Sequence, residues 1–393
     1  MLERSHPELR EAGTHLLRSV PPALPIDRLF VAGNPASLMR SRVVACVPAC
    51  NEENWIERCL MALDADLEAA DAILLLANGC TDGTIARAVP LMRAFQRPYL
   101  LLDCQWQDGS GSAPLARRLA LDIATDLAPE AVLLSIDGDT IVLPGLRVAY
   151  QDEFDKGYDL VCGRIGFIPE EAAMLPPADA ESERVIREYR EASREIAALI
   201  CPDADNPWPH HGNIGGANFA MKGSAYRAVG GLPMPPSGED RALRRAFEAK
   251  GLRIRYANGP RVETSCRLDG RAAGGLSDEL RRNRTEPNPI VDELLEPPET
   301  LLTRVTSRAA FLGSGASADR LAALSVLALQ PAVAEALAAR GGEAAWQDAE
   351  SASPALRRQR LRLDDLRHHL PVLRQALHAI RDARSGSPAS PPS

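Results

Sequence analysis

From Arg42 to Gly145 short apolar runs and amphipathic stretches alternate four times within about 100 residues. "RVVACVP" reads as a strand, and "NEENWIERCLMALDA" follows as a helix with Trp55, Cys59 and Leu63 at helical spacing. "DAILLLANG" is a second strand, and "TDGTIARAVPLMRAF" a second helix with Thr81 or Asp82 as its cap. "YLLLDCQ" and "SAPLARRLALDIATDLA" repeat the unit, and "AVLLSIDGDTIVLPG", Ala131 to Gly145, closes the series. Such alternation predicts an α/β fold: a central sheet, mostly parallel, flanked by helices on both faces.

Ligands of sheets built this way bind at the carboxyl ends of the strands. The last strand ends on Asp137 and Asp139, two carboxylates separated by one glycine. In an extended backbone residues i and i+2 project from the same face, so the pair can converge on one cation or one set of hydroxyls. "VPACNEEN" and "LANGCTDGT" follow the first two strands and should share that rim, bringing Asn51, Glu52, Asn78 and Asp82 to it. An acidic rim rich in hydrogen-bonding groups suits a sugar or ribose together with a divalent cation that bridges to phosphates.

Bulk properties narrow the class. A chain of 393 residues, 45% hydrophobic, can build one large or two ordinary cores, and a formal net charge of -8 supplies no field for nucleic acid. The eight cysteines lack the close pairing of a zinc site or a disulfide framework, which suits reduced thiols in a cytosolic protein. The N-terminus "MLERSHPELREAG" has no apolar core for a signal peptide, and the alanine-rich stretch Leu321 to Ala339 is broken by Gln330 and Pro331, as suits a pair of helices rather than a membrane span. The expected location is cytoplasmic, with peripheral attachment to the inner face of the membrane left open.

Five fragments, "CVPACNEENWIERCLMAL", "LLLANGCTDGT", "LLSIDGDTIVLPG", "GGANFAMKGSAYRAVGGL" and "GEDRALRRAFEAKGLRI", occur in the order found in family 2 glycosyltransferases, and residues 42 to 275 resemble that family. The resemblance implies the nucleotide-binding GT-A fold and transfer of one sugar from a nucleotide-sugar, with inversion at the anomeric carbon. It implies that Asp139 holds Mg2+ or Mn2+ against the donor diphosphate, that Asp137 touches the ribose or the transferred sugar, and that Pro48, Asn51 and Glu52 shape the nucleoside pocket while Asn78 and Asp82 border the base. It assigns the general-base role to Asp240, beside Glu239 at the start of a helix. Many members carry two aspartates where this chain has Ala77 and Asn78, so UDP-, GDP- and ADP-linked donors all stay in play. No "QxxRW" element is present, as expected for single additions rather than processive synthesis.

Between the acidic pair and "GED", a long charged helix from about Glu181 and the loop "CPDADNPWPHHGNIGGAN" should build the acceptor side, with Trp208 as a stacking platform and His210 or His211 as contacts to acceptor or metal. Arg267 and Arg271 could clamp a diphosphate. The acceptor could be a small molecule, a lipid or a carrier-bound group. The expected organisation is an N-terminal leader (1–40), the transferase domain (41–275), an α-helical region (276–384) able to cover the sheet edge, bind a partner or form a homodimer, and a disordered tail (385–393). Two competing classes are a sugar-phosphate nucleotidyltransferase and a non-catalytic nucleotide-sugar-binding relative. The first should carry a glycine- and arginine-rich phosphate loop where "VPACNEEN" stands. The second has no cause to keep Asp137, Asp139 and Asp240.

Overall fold

The computed structural model describes residues 9–11, 16, 24–109, 111–270 and 275–385. The strands are β1 (Arg10–Glu11), β2 (Ile26–Gly33), β3 (Val43–Ala49), β4 (Ala72–Asn78), β5 (Tyr99–Trp106), β6 (Val132–Ser135), β7 (Thr140–Val142), β8 (Leu160–Phe167), β9 (Phe219–Lys222) and β10 (Ile254–Thr264). The helices are α1 (Ile56–Asp66), α2 (Thr84–Ala94), α3 (Ala113–Leu127), α4 (Leu146–Asp155), α5 (Pro169–Met174), α6 (Ala180–Ile200), α7 (Gly223–Ala228), α8 (Glu239–Ala249), α9 (Leu276–Thr285), α10 (Pro298–Gly313), α11 (Ser317–Leu324), α12 (Pro331–Arg340), α13 (Gly342–Ala352) and α14 (Leu363–Ser385). The chain divides into two compact units, one of Met1–Leu175, Asn213–Phe247 and Leu252–Gly275, the other of Pro176–Gly212, Glu248–Gly251 and Leu276–Ser393.

The first unit is an α/β structure around a ten-stranded sheet of order β1-β2-β5-β4-β3-β6-β9-β8-β10-β7. Its centre, β5-β4-β3-β6, is parallel, and antiparallel pairings extend it on both sides. β3 and β4 are buried along their whole length, which is why their sequences read as unbroken apolar runs. Alternate residues serve opposite faces. Val44, Cys46, Leu74 and Leu76 pack with Leu119 and Ile123 of α3 on one side. Ala45, Val47, Ile73 and Leu75 pack with Ile56, Leu60 and Leu63 of α1 and with Met92 of α2 on the other. Each fully buried leucine contributes about 2 kcal/mol by removal from water.

Residues 26–33, expected in a surface leader, instead form β2 and pair antiparallel with β5 from Ile26–Trp106 to Gly33–Leu100. Prolines 21, 22 and 25 dominate the local texture, but "LFVA" is an apolar run rich in β-formers, and it is partly buried in the strand, with Leu29 and Ala32 fully so.

The second unit is helical. α6, read from the sequence as part of the acceptor side, lays Val185, Tyr189, Ala192 and Ile196 into a core with Leu363, Leu366, Leu370, Leu373 and Leu377 of α14. Ion pairs Glu188–Arg374 and Glu195–Arg381 join the same two helices seven residues apart on each. A further core gathers Phe311, Leu337 and Trp346 from α10, α12 and α13. No helix among the described residues is long and apolar enough to cross a membrane. None of the eight cysteines forms a disulfide, and five of them are buried. Apart from Ser385, which ends α14, the expected tail lies outside the described residues.

Candidate functional site

The loop after β6 lies along the carboxyl end of β3. Ile136 N–H donates to the Cys46 carbonyl and Gly138 N–H to the Pro48 carbonyl, both at 3.2 Å. A Cβ on Gly138 would stand 2.8 Å from Ala49 Cβ and 3.2 Å from Glu52 Cγ. The glycine between the two aspartates is therefore a packing requirement: only a residue without a side chain lets the loop approach β3 closely enough to set both carboxylates beside Glu52. Asn51 takes the left-handed backbone conformation at φ 54°, which asparagine tolerates better than most residues. Its Oδ1 accepts from Thr81 N–H at 2.6 Å, and Thr84 Oγ1 accepts from Glu52 N–H at 2.7 Å, so the loops after β3 and β4 are tied together.

Arg267, just beyond β10, closes one side. Its guanidinium donates to both oxygens of Glu52, at 2.7 and 2.8 Å, and its Nη2 also lies 2.9 Å from Asp139 Oδ2. Asp139 Oδ1 accepts from Thr264 Oγ1 at 3.3 Å. Burial pushes the Asp139 carboxyl up to about 7, against the lowering effect of Arg267 and with added repulsion from Asp137 and Glu52. Glu52 is only 6% exposed. Arg267→Ala removes the bidentate partner of a buried carboxylate and the counter-charge of its neighbour, so it should cost about 3–5 kcal/mol of stability in urea denaturation. A loss under about 1 kcal/mol, the level of an exposed ion pair, would show that the cluster is solvated.

Arg117 closes the other side and is the functional candidate that the sequence reading missed. It projects from α3 with its side chain 5% exposed. Nη2 donates to Asp137 Oδ1 at 2.8 Å, and Nη1 donates to Ser135 Oγ at 2.8 Å and to the Gly216 carbonyl at 2.7 Å. Nε stands 3.6 Å from Glu239 Oε1, in the first turn of α8. A Cβ on Gly216 would meet Arg117 Cζ at 2.4 Å, so that glycine too makes room for charge. A signal existed in the sequence: Arg117 sits three and seven residues before Ala120 and Ala124, on the buried stripe of α3.

Through Arg117 the structure brings Asp137 together with the Glu239–Asp240 turn, and through Arg267 it brings Asp139 together with Glu52. Burial, then the adjoining Glu239, raises the Asp240 carboxyl above its ordinary range. Asn78 and Asp82 reach the same rim with their oxygens engaged: Asn78 Oδ1 accepts from Trp106 Nε1 at 2.5 Å, while Asp82 accepts from Thr84 N–H at 3.0 Å and Glu53 N–H at 3.1 Å. Trp208, His210 and His211 belong to the second unit, where the Trp208 and His210 rings meet edge-on at 5.7 Å. Arg271 lies outside the described residues.

Five carboxylates, Glu52, Asp137, Asp139, Glu239 and Asp240, thus face two guanidiniums. The balance is negative, and a proton on Asp139 relieves part of it. No cluster of three or more His, Cys, Asp or Glu positioned as a metal site occurs among the described residues. Asp137 and Asp139, hard oxygen ligands on one loop, nevertheless fit a small divalent cation whose other positions are filled by water and ligand phosphates. Such an ion would take the place of the proton and of part of Arg267's contact with Asp139.

No family model matches the chain, and no curated protein matches it. Among solved structures it is similar to S. aureus TarS, residues 1–349, in complex with UDP-GlcNAc (14% identity, 79% of this chain and 90% of that one, TM-score 0.42). It is similar to glucosyl-3-phosphoglycerate synthase from Mycobacterium tuberculosis in complex with Mn2+, UDP-glucose and phosphoglyceric acid (15%, 63% and 79%, TM-score 0.39). It is also similar to the mannosyltransferase PcManGT from Pyrobaculum calidifontis in complex with GDP-Man and Mn2+ (17%, 93% and 91%, TM-score 0.42). None of these TM-scores exceeds 0.42, so the chemistry is read from this chain's own residues.

Proposed function

We propose that the protein is a glycosyltransferase of the GT-A type that moves one sugar from a nucleotide-diphosphate sugar to an acceptor hydroxyl with inversion. One observation carries the reading: Arg117 ties Asp137, on the loop after β6, to Glu239, beside Asp240 at the start of α8. A donor-binding carboxylate and a candidate base then share one site, as a single in-line displacement requires. In this reading Asp139 holds Mg2+ or Mn2+, which when bound neutralises charge developing on the diphosphate leaving group, and Asp137 touches the ribose or the transferred sugar. Pro48, Asn51 and Glu52 form the nucleoside side, bordered by Asn78 and Asp82. Arg267 turns from Asp139 toward the diphosphate. Asp240 takes the proton of the acceptor hydroxyl, aided by the burial that makes its carboxylate a stronger base. From the sequence, Arg271 is a further candidate diphosphate contact, and Trp208, His210 and His211 are candidate acceptor contacts. A nucleotidyltransferase is disfavoured by "VPACNEEN" after β3, where a loop for a triphosphate would be needed.

The test is a melting-temperature panel of UDP, GDP, ADP and CDP with and without Mn2+, on wild type and Asp139→Ala. A ligand that binds only the folded chain at 100 times its dissociation constant stabilises by about 2.7 kcal/mol. One nucleotide should raise the melting temperature in a Mn2+-dependent manner, and Asp139→Ala should abolish the rise. If no nucleotide shifts the transition with either metal state, the donor-site reading fails.

A further inference from the structure

We infer that Arg117 is a positioning residue that couples donor binding at Asp137 to the acceptor-side turn at Glu239 and Asp240. This inference rests on the transferase reading. Three of the guanidinium's contacts are hydrogen bonds, to Asp137 Oδ1, Ser135 Oγ and the Gly216 carbonyl, and Glu239 attracts it across 3.6 Å. Nε, buried, has no hydrogen bond among the described residues. It is the donor aimed at α8 and left unspent, so a shift of the guanidinium toward Glu239 gains a hydrogen bond there at the expense of the one to Asp137. Ser135 Oγ donates in turn to the Gly216 carbonyl at 2.7 Å, which locks the base of the fork. The outer part is thereby shared between two carboxylates on different elements. Whatever draws Arg117 toward one loosens its hold on the other.

Sharing gives the coupling a sign. When a ligand engages Asp137, the guanidinium's charge is freed for Glu239, and the first turn of α8 is drawn in with Asp240 on it. In reverse, with Glu239 neutral, Arg117 pairs fully with Asp137 and makes that carboxylate harder for a donor to use. Loss of a negative charge near an anionic ligand would by itself tighten binding. The two effects oppose each other, so the direction of change identifies the route.

The experiment measures, by calorimetry with Mn2+, the affinity of the full-length protein for the nucleoside diphosphate that stabilises it. Glu239→Gln should weaken binding about fivefold in an otherwise wild-type chain, and by less than about twofold when combined with Arg117→Lys, whose ammonium keeps the charge but cannot fork to both partners. Unchanged or tighter binding in Glu239→Gln overturns the inference while leaving the transferase reading intact. Equal weakening in both backgrounds also overturns it, because the route then bypasses Arg117. Failure of every nucleotide to bind the wild type overturns the transferase reading itself. Should Arg117→Lys fail to fold, Gly216→Ala displaces the same guanidinium by steric contact without altering any charge, and should remove the coupling likewise.

Discussion

Asp240→Asn should slow sugar transfer by about 10²–10⁴-fold, the contribution of a positioned general base. Donor binding should change by less than about twofold, because the proton is taken only in the transition state. The size of the effect follows from the site. Asp240 lies in the first turn of α8, and burial followed by repulsion from Glu239 holds its carboxyl above the ordinary range. Such a group is a stronger base than a solvated aspartate. Asparagine keeps its size and its acceptor oxygen, so the fold should survive. Turnover with the preferred donor and calorimetric affinity for its nucleoside diphosphate are the two readings required. Unchanged turnover would place the base elsewhere, with Glu239 the first alternative.

The second large effect is a trade between stability and binding at Asp139. Its carboxyl is raised to about 7 in the folded protein, whereas in an unfolded chain it has the ordinary value near 3.9. Between these values the folded state holds a proton that the unfolded state has lost. Stability therefore falls as pH rises from about 4 to about 7, by an amount on the order of 4 kcal/mol, and levels off above. Asp139→Asn lacks this slope. Relative to its difference from wild type at about pH 5, the variant should gain stability at about pH 8, while losing Mn2+-dependent nucleotide stabilisation entirely. Parallel urea curves for the two proteins at both pH values would show that Arg267 compensates the charge in full, and would sink the prediction.

The alternation from β3 to β6 was legible because strands covered on both faces must be apolar throughout, and Asp137 and Asp139 were legible because a carboxylate has no place inside such a strand. Arg117 was not read. Arginines in amphipathic helices usually face water, and its position on the buried stripe of α3 carries meaning only once Asp137 and Glu239 are known to flank it. The sequence marks Arg267 as a candidate diphosphate clamp, but its grip on Glu52 depends on residues 215 positions apart, a separation that no local pattern encodes. β2 was hidden by the prolines around it. α6 was assigned to the acceptor side from its place in the chain, yet its apolar stripe finds its partners in α14.

That last pairing bears on how the protein is made. Val185, Tyr189, Ala192 and Ile196 face a core completed by Val291, Leu295, Leu301 and Val305 and by Leu363 to Leu377. During synthesis α6 leaves the ribosome with its greasy stripe uncovered, and more than 160 residues must follow before α14 appears. At roughly 5–20 residues per second the wait is on the order of 10–30 s. The paired charges at Glu188–Arg374 and Glu195–Arg381 then act as a zipper with a seven-residue tooth, rejecting a register slipped by one turn. A nascent chain stalled before residue 363 exposes that stripe to chaperones, and the second unit cannot mature until α14 has been made.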